Sequence, residues 1–422
     1  MKTITIEHTI GKEKEGLYYT VPFMMPCGVE KMTLQYSYPH GTGHEKNVVD
    51  LGLIDDQGRF LGWSGSARSS ITVGPYQATP GYRMTALTPG EWKISVGAYK
   101  IFDAPLKVHY ELSFTAKQAR WLFGDLHMHS TASDGEHDTY TLAQKAKKLG
   151  LDFIAVSDHN NYSGNFSLPV LPGLTMLPAV EWTHYRGHMN FFGAKAPFDK
   201  TFVANSEEEM LAVVAQAKES GALVSVNHPK CPFCPYLWSS QTCFDMMEIW
   251  NGPMRKANTD AIRWWHGMLA AGRRLPAVGG SDFHRDRSPV RFAQPVTAVY
   301  SESPAAADIL DALRQGHSYI MTSIRGVRLS VMTPGVLFGD VLRDGAAEAL
   351  RFRAEGGRAG MRLMAATDRG VAAGTDTWHQ GMAELCLPIE GQRFVYLVVV
   401  CKLPGAQRVC AISNPVYFET KC

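Results

Sequence analysis

The chain has 422 residues, 45% of them apolar and 19% charged, with a formal net charge of +2. That length exceeds one ordinary domain, and the composition is that of a soluble globular protein rather than a disordered or fibrous one. So balanced a charge gives no reason to expect a nucleic acid or an anionic membrane as partner, although one basic pocket for a phosphate stays compatible with it.

The first residues, from Met1 to Gly16, alternate polar and apolar side chains and lack the apolar core of a signal peptide. No apolar run approaches the length of a membrane span; the strongest, Phe394 to Cys401, suits a buried strand. Eight cysteines are scattered without framework spacing, so reduced thiols and a cytoplasmic location are expected. Cys231 and Cys234 are the one close pair, and a structural zinc site would need a second pair, which Cys243 alone does not supply.

From Thr3 to about Lys117, short alternating segments (Met32–Tyr36, Val48–Ile54, Ser70–Val73, Trp92–Tyr99) are separated by turns such as Asp56-Gln57-Gly58, Thr79-Pro80-Gly81 and Thr88-Pro89-Gly90. Strands so spaced predict an antiparallel sandwich. From Arg120 to about Ile324 helices alternate with short apolar strands. Thr141–Leu149 sets Leu142, Ala143, Ala146 and Leu149 on one helical face, stops at Gly150, and leads into a buried strand at Leu151–Val156. Ser206 and Glu209 form a capping-box pattern for a helix reaching Ser220, ahead of a strand at Leu223–Val226. Thr259–Ala271 reads as a helix ended by Gly272, and Ser303-Pro304 as the start of a last one closed by Gly316. Repeated strand-then-helix units predict a parallel sheet or barrel. Beyond Arg325 strands return at Val327–Val331, Ala349–Ala354, Met361–Ala366, Phe394–Cys401 and Val416–Phe418, predicting a second β domain. The expected domains are therefore 1–118, 119–324 and 325–422.

Nine of the fifteen histidines lie between His127 and His284. They fall at strand ends: Asp125-Leu126-His127-Met128-His129 after the first apolar segment of the middle region, Asp158-His159 after the next strand, Glu181 and His188 around a third, Asn227-His228-Pro229 after Leu223–Val226, and Asp282-Phe283-His284 after Ala277-Val278. Loops at the carboxyl ends of strands in α/β barrels converge on one face, so these groups are expected to share a cleft. Taken singly, each pair also reads as a turn or a strand stop. Their recurrence at successive strand ends is what those plain readings leave unexplained.

In this order and register, together with Ser133-Asp134-Gly135, the motifs resemble the PHP (polymerase and histidinol phosphatase) superfamily of metal-dependent hydrolases. Asp50–Leu53, Gly62–Gly65, Ala78–Tyr82 and Ser413–Tyr417 look like its CehA/McbA branch. The resemblance implies an α/β fold, a distorted (β/α)7 PHP barrel flanked by N-terminal and C-terminal β-sandwich-like domains, holding two or three divalent ions (Mn²⁺, Fe²⁺ or Zn²⁺). It places His127, His129, Glu181 and Asp282 on the first ion. A bridging Glu181 with His188 and His228 takes the second, and Asp134, His159 and His284 the third. Glu181, His228 and Asp282 are the implied catalytic residues. His184 competes with His188, which is preferred because it directly precedes an apolar strand.

Imidazole and carboxylate ligands suit borderline first-row ions, and a pair of them can supply hydroxide from a bridging water at neutral pH. The expected activity is hydrolysis of a phosphomonoester or phosphodiester of a small molecule. Hydrolysis of a carboxylic or carbamate ester is the alternative, and a non-enzymatic carbohydrate- or protein-binding role with a metal-stiffened barrel is the third reading. Arg186, Lys230, Arg285 and Arg287 lie near the proposed ligands and suit an anionic substrate or open solvent. Trp182, Tyr185 and Trp250 fit a substrate wall or the core, and Asp125 and Asp158 fit histidine-orienting acceptors or ordinary strand-end bonding.

Overall fold

The computed structural model describes residues 2–198, 201–239, 244–343, 347–403 and 406–419; Cys243 lies outside them. The chain forms two compact units: one made of the chain up to Ala119 with Val170–Gly173 and Glu302–Ala305, the other of Arg120–Pro169, Leu174–Ser301 and the chain from Ala306 on.

The first unit contains two four-stranded antiparallel sheets. One has the order Lys2–Ile10, Leu106–Ala116, Val29–Ser37, Ser70–Val73; the other Tyr18–Met25, Gly90–Lys100, Val48–Ile54, Phe60–Gly65. Leu106, Val108, Tyr110, Leu112 and Phe114 are all buried while the residues between them face outward. That period of two follows from the pleat and lines one face with apolar side chains. Leu34 and Tyr110 from one sheet meet Leu51, Trp92 and Ile94 from the other in a single apolar core.

The second unit carries β1 (Arg120–Asp125), α1 (Thr139–Leu149), β2 (Phe153–Val156), β3 (Thr175–His184), β4 (Gly187–Phe192), α2 (Glu207–Glu219), β5 (Leu223–Asn227), β6 (Met246–Asn251), α3 (Lys256–Ala270), β7 (Ala277–Gly280), β8 (Val296–Ser301), α4 (Ala306–Gln315) and β9 (Ser318–Met321). Strands β1 to β7 stand side by side in chain order; every neighbouring pair is parallel except those made by β4, which runs antiparallel to β3 and β5. The row also meets itself. Just beyond β1 and β7, Asp282 N–H donates to His127 O at 2.8 Å and His129 N–H to Phe283 O at 2.9 Å. β2 and β7 are buried along their whole length, as strands covered on both faces should be.

The helix ends show which sequence signals carry through. Asp138 accepts a hydrogen bond from Thr141 N–H at 2.7 Å, so α1 opens two residues before the expected Thr141; Gly150 closes it at φ 81°. Leu142, Ala143 and Ala146 are buried, but Leu149, at the helix end, is 47% exposed. Ser206 caps α2 through Glu209 N–H at 3.1 Å, while the Glu209 carboxylate takes Asn205 N–H, one residue earlier than a reciprocal box would. α3 begins at Lys256, three residues before the expected Thr259. α4 begins at Ala306 instead of Pro304, because Ser303 Oγ holds Ala305 N–H at 3.1 Å in a turn ahead of the helix.

The expected break after residue 324 is bridged by a continuous sheet. On the far side of β1 come β8, β9, then Ala406–Ser413, Phe394–Leu403, Met361–Thr367 and Gly370–Thr375. Tyr319, Ile320 and Met321 pair with Ser413, Ile412 and Ala411. Trp265 of α3, Tyr396 and Ile412 share one core, so the C-terminal strands cover α3 instead of closing on themselves. Of the described strands beyond residue 324, Arg328–Val331, Ala349–Glu355 and Met382–Pro388 make a separate three-stranded sheet. No helix among them is long and apolar enough to cross a membrane.

Candidate metal centre

His127 and His129 follow β1 two residues apart in extended chain, so their rings point the same way while Met128 between them is buried on the other side. Gly280 leaves room for this: a Cβ there would lie 2.3 Å from the Cβ of His127. Glu181 stands on β3, His188 on the facing β4, His228 just after β5, and Asp282 and His284 just after β7. His228 and Asp282 adopt left-handed backbone angles, φ 28° and 56°. Such angles cost a side-chain-bearing residue about 1–3 kcal/mol and persist where the surroundings enforce them, commonly at functional sites.

Glu181 is fully buried and is the hub. Its Oε1 lies 3.3 Å from His127 Nε2, 3.2 Å from His188 Nδ1 and 3.2 Å from His228 Nε2. Its Oε2 lies 2.9 Å from His159 Nδ1 and 3.5 Å from His129 Nε2. Asp282 Oδ1 is 3.1 Å from His129 Nε2 and 3.4 Å from His127 Nε2. Asp134 reaches in from an exposed turn, 3.3 Å from His284 Nε2 and 3.7 Å from His159 Nε2. All nine residues expected as ligands thus converge. Their donor atoms fall into overlapping groups within metal-binding reach: His127–His129–Asp282, His127–Glu181–His228, His159–Glu181–His188 and His129–Asp134–His159–His284. His184 lies apart, stacked on Trp182 and tilted against Trp238.

Burial disfavours the charged form of His127, but the carboxylates of Glu248, Glu181 and Asp282 outweigh it and hold its pKa well above the ordinary imidazole value. Burial likewise opposes ionised Glu181 and Asp282. His127, His159 and His188 around the first, and His127 and His129 around the second, hold both well below the usual carboxylate range. Burial lowers His129 despite the nearby acids. Yet in this charge-rich pocket His127 Nε2 and Glu181 Oε2 stay buried without a well-directed hydrogen bond, even though an oxygen of Glu181 and the ring of His159 stand 3.3 and 2.9 Å away; the nearer nitrogen, His159 Nδ1, faces Thr183 Oγ1 at 2.6 Å. Such orphans are rare in proteins, and a divalent cation shared among imidazole and carboxylate donors would satisfy them. The residues present fit such ions.

Residues 125–223 match the PHP domain family. The PHP segment holds His127 through His188, whereas His228, Asp282 and His284 lie beyond it and join by geometry. No curated protein matches the chain. Similar solved structures include a two-domain Bacteroides vulgatus protein containing a predicted PHP-like metal-dependent phosphoesterase, 15% identical, with a TM-score of 0.42, covering 71% of this chain and 96% of that one. Another is the lesion-specific endonuclease EndoQ of Pyrococcus furiosus, 16% identical, with a TM-score of 0.34, covering 48% of this chain and 58% of its own. An amidohydrolase of Chromobacterium violaceum is 14% identical, with a TM-score of 0.27, and the match covers 40% and 89%.

Further side chains hold the members of this cluster in place. Glu248 Oε1 takes His127 Nδ1 at 2.9 Å, and its Oε2 accepts His228 N–H at 2.9 Å and Asn251 Nδ2–H at 3.1 Å. Thr183 Oγ1 lies 2.6 Å from His159 Nδ1, and Cys234 Sγ 3.5 Å from His228 Nδ1. Sequence reasoning missed all three. A signal existed for Glu248: it is the lone carboxylate in the apolar strand Met246–Trp250, where a charge needs a partner. Asp125 and Asp158 do not touch a histidine ring. Asp125 accepts Ser281, His127 and Ala293 N–H, and Asp158 accepts Ser130 N–H and the hydroxyls of Ser130 and Ser133.

The expected substrate contacts separate. Trp182 and Trp250 are core residues bonded to backbone carbonyls, and Tyr185 is 96% exposed, so they form no joint wall. Arg186 lies over the Trp238 ring at 4.4 Å and gives one Nη2–H to Leu237 O at 3.3 Å, on the exposed surface. Arg285 and Arg287 are exposed without a hydrogen-bond or ion-pair partner among the described residues. Lys230 lines a cavity together with His228.

Proposed function

We propose that the protein is a metal-dependent hydrolase of small-molecule phosphoesters, a PHP-superfamily member of the CehA/McbA-like branch, in which β1 to β7 are the strands of a distorted (β/α)7 barrel. The carrying observation is the convergence of six histidines, Asp134 and Asp282 on a fully buried Glu181, with donor atoms left unsatisfied inside it. His127, His129, Glu181 and Asp282 would hold one ion, Glu181, His188 and His228 a second, and Asp134, His159 and His284 a third. Mn²⁺, Fe²⁺ and Zn²⁺ all suit such donors. When bound, these ions supply the nucleophile at neutral pH and an electrostatic anchor for charge developing on the phosphoryl group.

The chain's own part is positioning. Glu181 presents both oxygens to different histidines, so one side chain can tie two ion positions together. Glu248 fixes the His127 ring and the backbone of His228 at once, and Thr183 fixes His159. Their roles match those of the partners that orient metal-binding histidines elsewhere. Asp134, half-exposed at the rim, is the ligand an incoming substrate meets first. We further place the protein in the cytoplasm, since Cys231, Cys234, Cys401 and Cys410 are all free thiols.

Metal analysis of the purified protein, followed by assays on p-nitrophenyl phosphate, bis-p-nitrophenyl phosphate and p-nitrophenyl acetate, tests this reading. Turnover of the phosphate esters with bound divalent metal is the expected result. Turnover of the acetate alone would move the activity to carboxylic or carbamate esters. No turnover with at most one bound ion would favour the binding-protein reading.

A further inference from the structure

A cavity of about 410 Å³ lies beside the cluster and shares His228 with it. Its walls come from the loop after β5, which supplies Lys230 and Phe233, and from the end of β6 and the first turns of α3, which supply Asn251, Arg255 and Lys256. Two properties define what fits it. The first is charge. Three cations face one carboxylate, Asp260, and that carboxylate is already bonded to Lys256 and, at 3.0 Å, to Arg263. The Arg255 guanidinium has no hydrogen-bond or ion-pair partner among the described residues, and the Lys230 ammonium sits 4.3 Å over the Trp264 ring instead of beside an acid. The second is an apolar lining. Phe233, 94% exposed, presents its ring at the opening with nothing packed over it.

We infer that this cavity receives the half of the substrate that is not attacked, and that this half is a compact apolar body carrying an anionic group. The inference rests on the hydrolase reading for the placement of the ester over the metal cluster. The volume lies at the low end for small-ligand pockets and is enough for one ring system and its charged substituent. The ring meets Phe233, and the anion is taken by Arg255 with Lys230 beside it; arginine's planar fork suits a carboxylate or a phosphate equally. Asn251 links this half to the metal side, because it lines the cavity and donates to the same Glu248 oxygen that holds His228 N–H.

Binding is measured by calorimetry on the metal-loaded protein, with benzoate, phenyl phosphate's non-hydrolysable analogue phenylphosphonate, and neutral benzamide as probes. Wild type is expected to bind at least one of the two anions roughly tenfold or more tighter than benzamide. In the Arg255→Gln, Lys230→Gln double variant that preference shrinks to about twofold, with circular dichroism unchanged. Which anion leads tells a carboxylate-bearing from a phosphate-bearing substrate. Anions that bind no tighter than benzamide, or a double variant that keeps the full preference because the anion sits on the metals, would overturn the inference. The readout needs no turnover: charge-selective binding in a protein that hydrolyses no ester would sink the hydrolase reading and leave the cavity's specificity standing.

Discussion

The two units bury opposite things in strands of the same kind. In the first, Trp92, Ile94, Leu51 and Tyr110 fill the space between two sheets by apolar contact, and the one buried side-chain atom left without a partner among its described residues is the neutral Tyr110 hydroxyl. In the second, the carboxyl ends of β1, β3, β5 and β7 bury His127, His129 and Glu181 completely. Burying ionisable groups is costly, and here Glu181 and His127 are still left with unsatisfied atoms. A core that is finished by apolar contact serves stability. One that stays unfinished until a cation arrives serves chemistry.

The sharpest way to break that contrast is Glu181→Gln. Removing the charge takes the hub from five histidines at once. Metal analysis after desalting should find at least one ion fewer per chain, and kcat should fall by on the order of 10³-fold, comparable with loss of a key electrostatic contact. A variant that retains the full metal complement and rate would remove Glu181 from the centre.

The counterpart in the first unit is Trp92→Ala. Trp92 is fully buried and its Nε1–H donates to Thr88 O at 2.9 Å. Emptying that volume should cost about 3–5 kcal/mol in urea unfolding, while the folded protein keeps its metal content. Loss of metal in proportion to stability would mean the two kinds of core are not independent.

Much of this was legible in the sequence because two signals are local. Alternation in Leu106–Ala116 and glycine stops such as Gly150 need only near neighbours, and strand-end placement picked out eight ligand-type residues, while Asp134, in a turn, came only from the family resemblance. What was not legible depends on distant packing. Residues 361–413 carry strand signals, yet nothing in them says that they extend the central sheet through Ser318–Met321 instead of closing as a separate sandwich. Glu248, Thr183 and Cys234 matter only because His127, His159 and His228 arrive beside them from elsewhere in the chain. That Arg186 lies over the Trp238 ring depends likewise on a segment some fifty residues away.

Glu248→Gln sharpens the contrast at the next scale. Glutamine keeps an acceptor and a donor but loses the charge that orients His127 and raises its pKa. Metal affinity is expected to drop about 10- to 100-fold by competition titration. The pH dependence should move as well. A histidine must shed its proton to bind metal, so wild-type affinity rises with pH, and the acid-raised pKa of His127 extends that rise above the ordinary imidazole range. Without Glu248 the His127 pKa falls and the rise should finish at lower pH. An unshifted profile would assign the proton competition to another residue.

The smallest effect comes from a place where the site depends on ordinary secondary structure. Ser206 accepts Glu209 N–H at 3.1 Å and opens α2, the helix that leads into β5 and so to His228. Ser206→Ala should cost about 1 kcal/mol, because a backbone donor at the helix start loses its acceptor. Metal affinity should not change, since His228 is fixed from the other side by Glu248 and by strand pairing of His188 with Asn227. Unfolding midpoint and metal titration on the same variant separate the outcomes. If affinity falls together with stability, the cluster's geometry is set by the helix, and the charges around Glu181 merely occupy a frame that capping has already built.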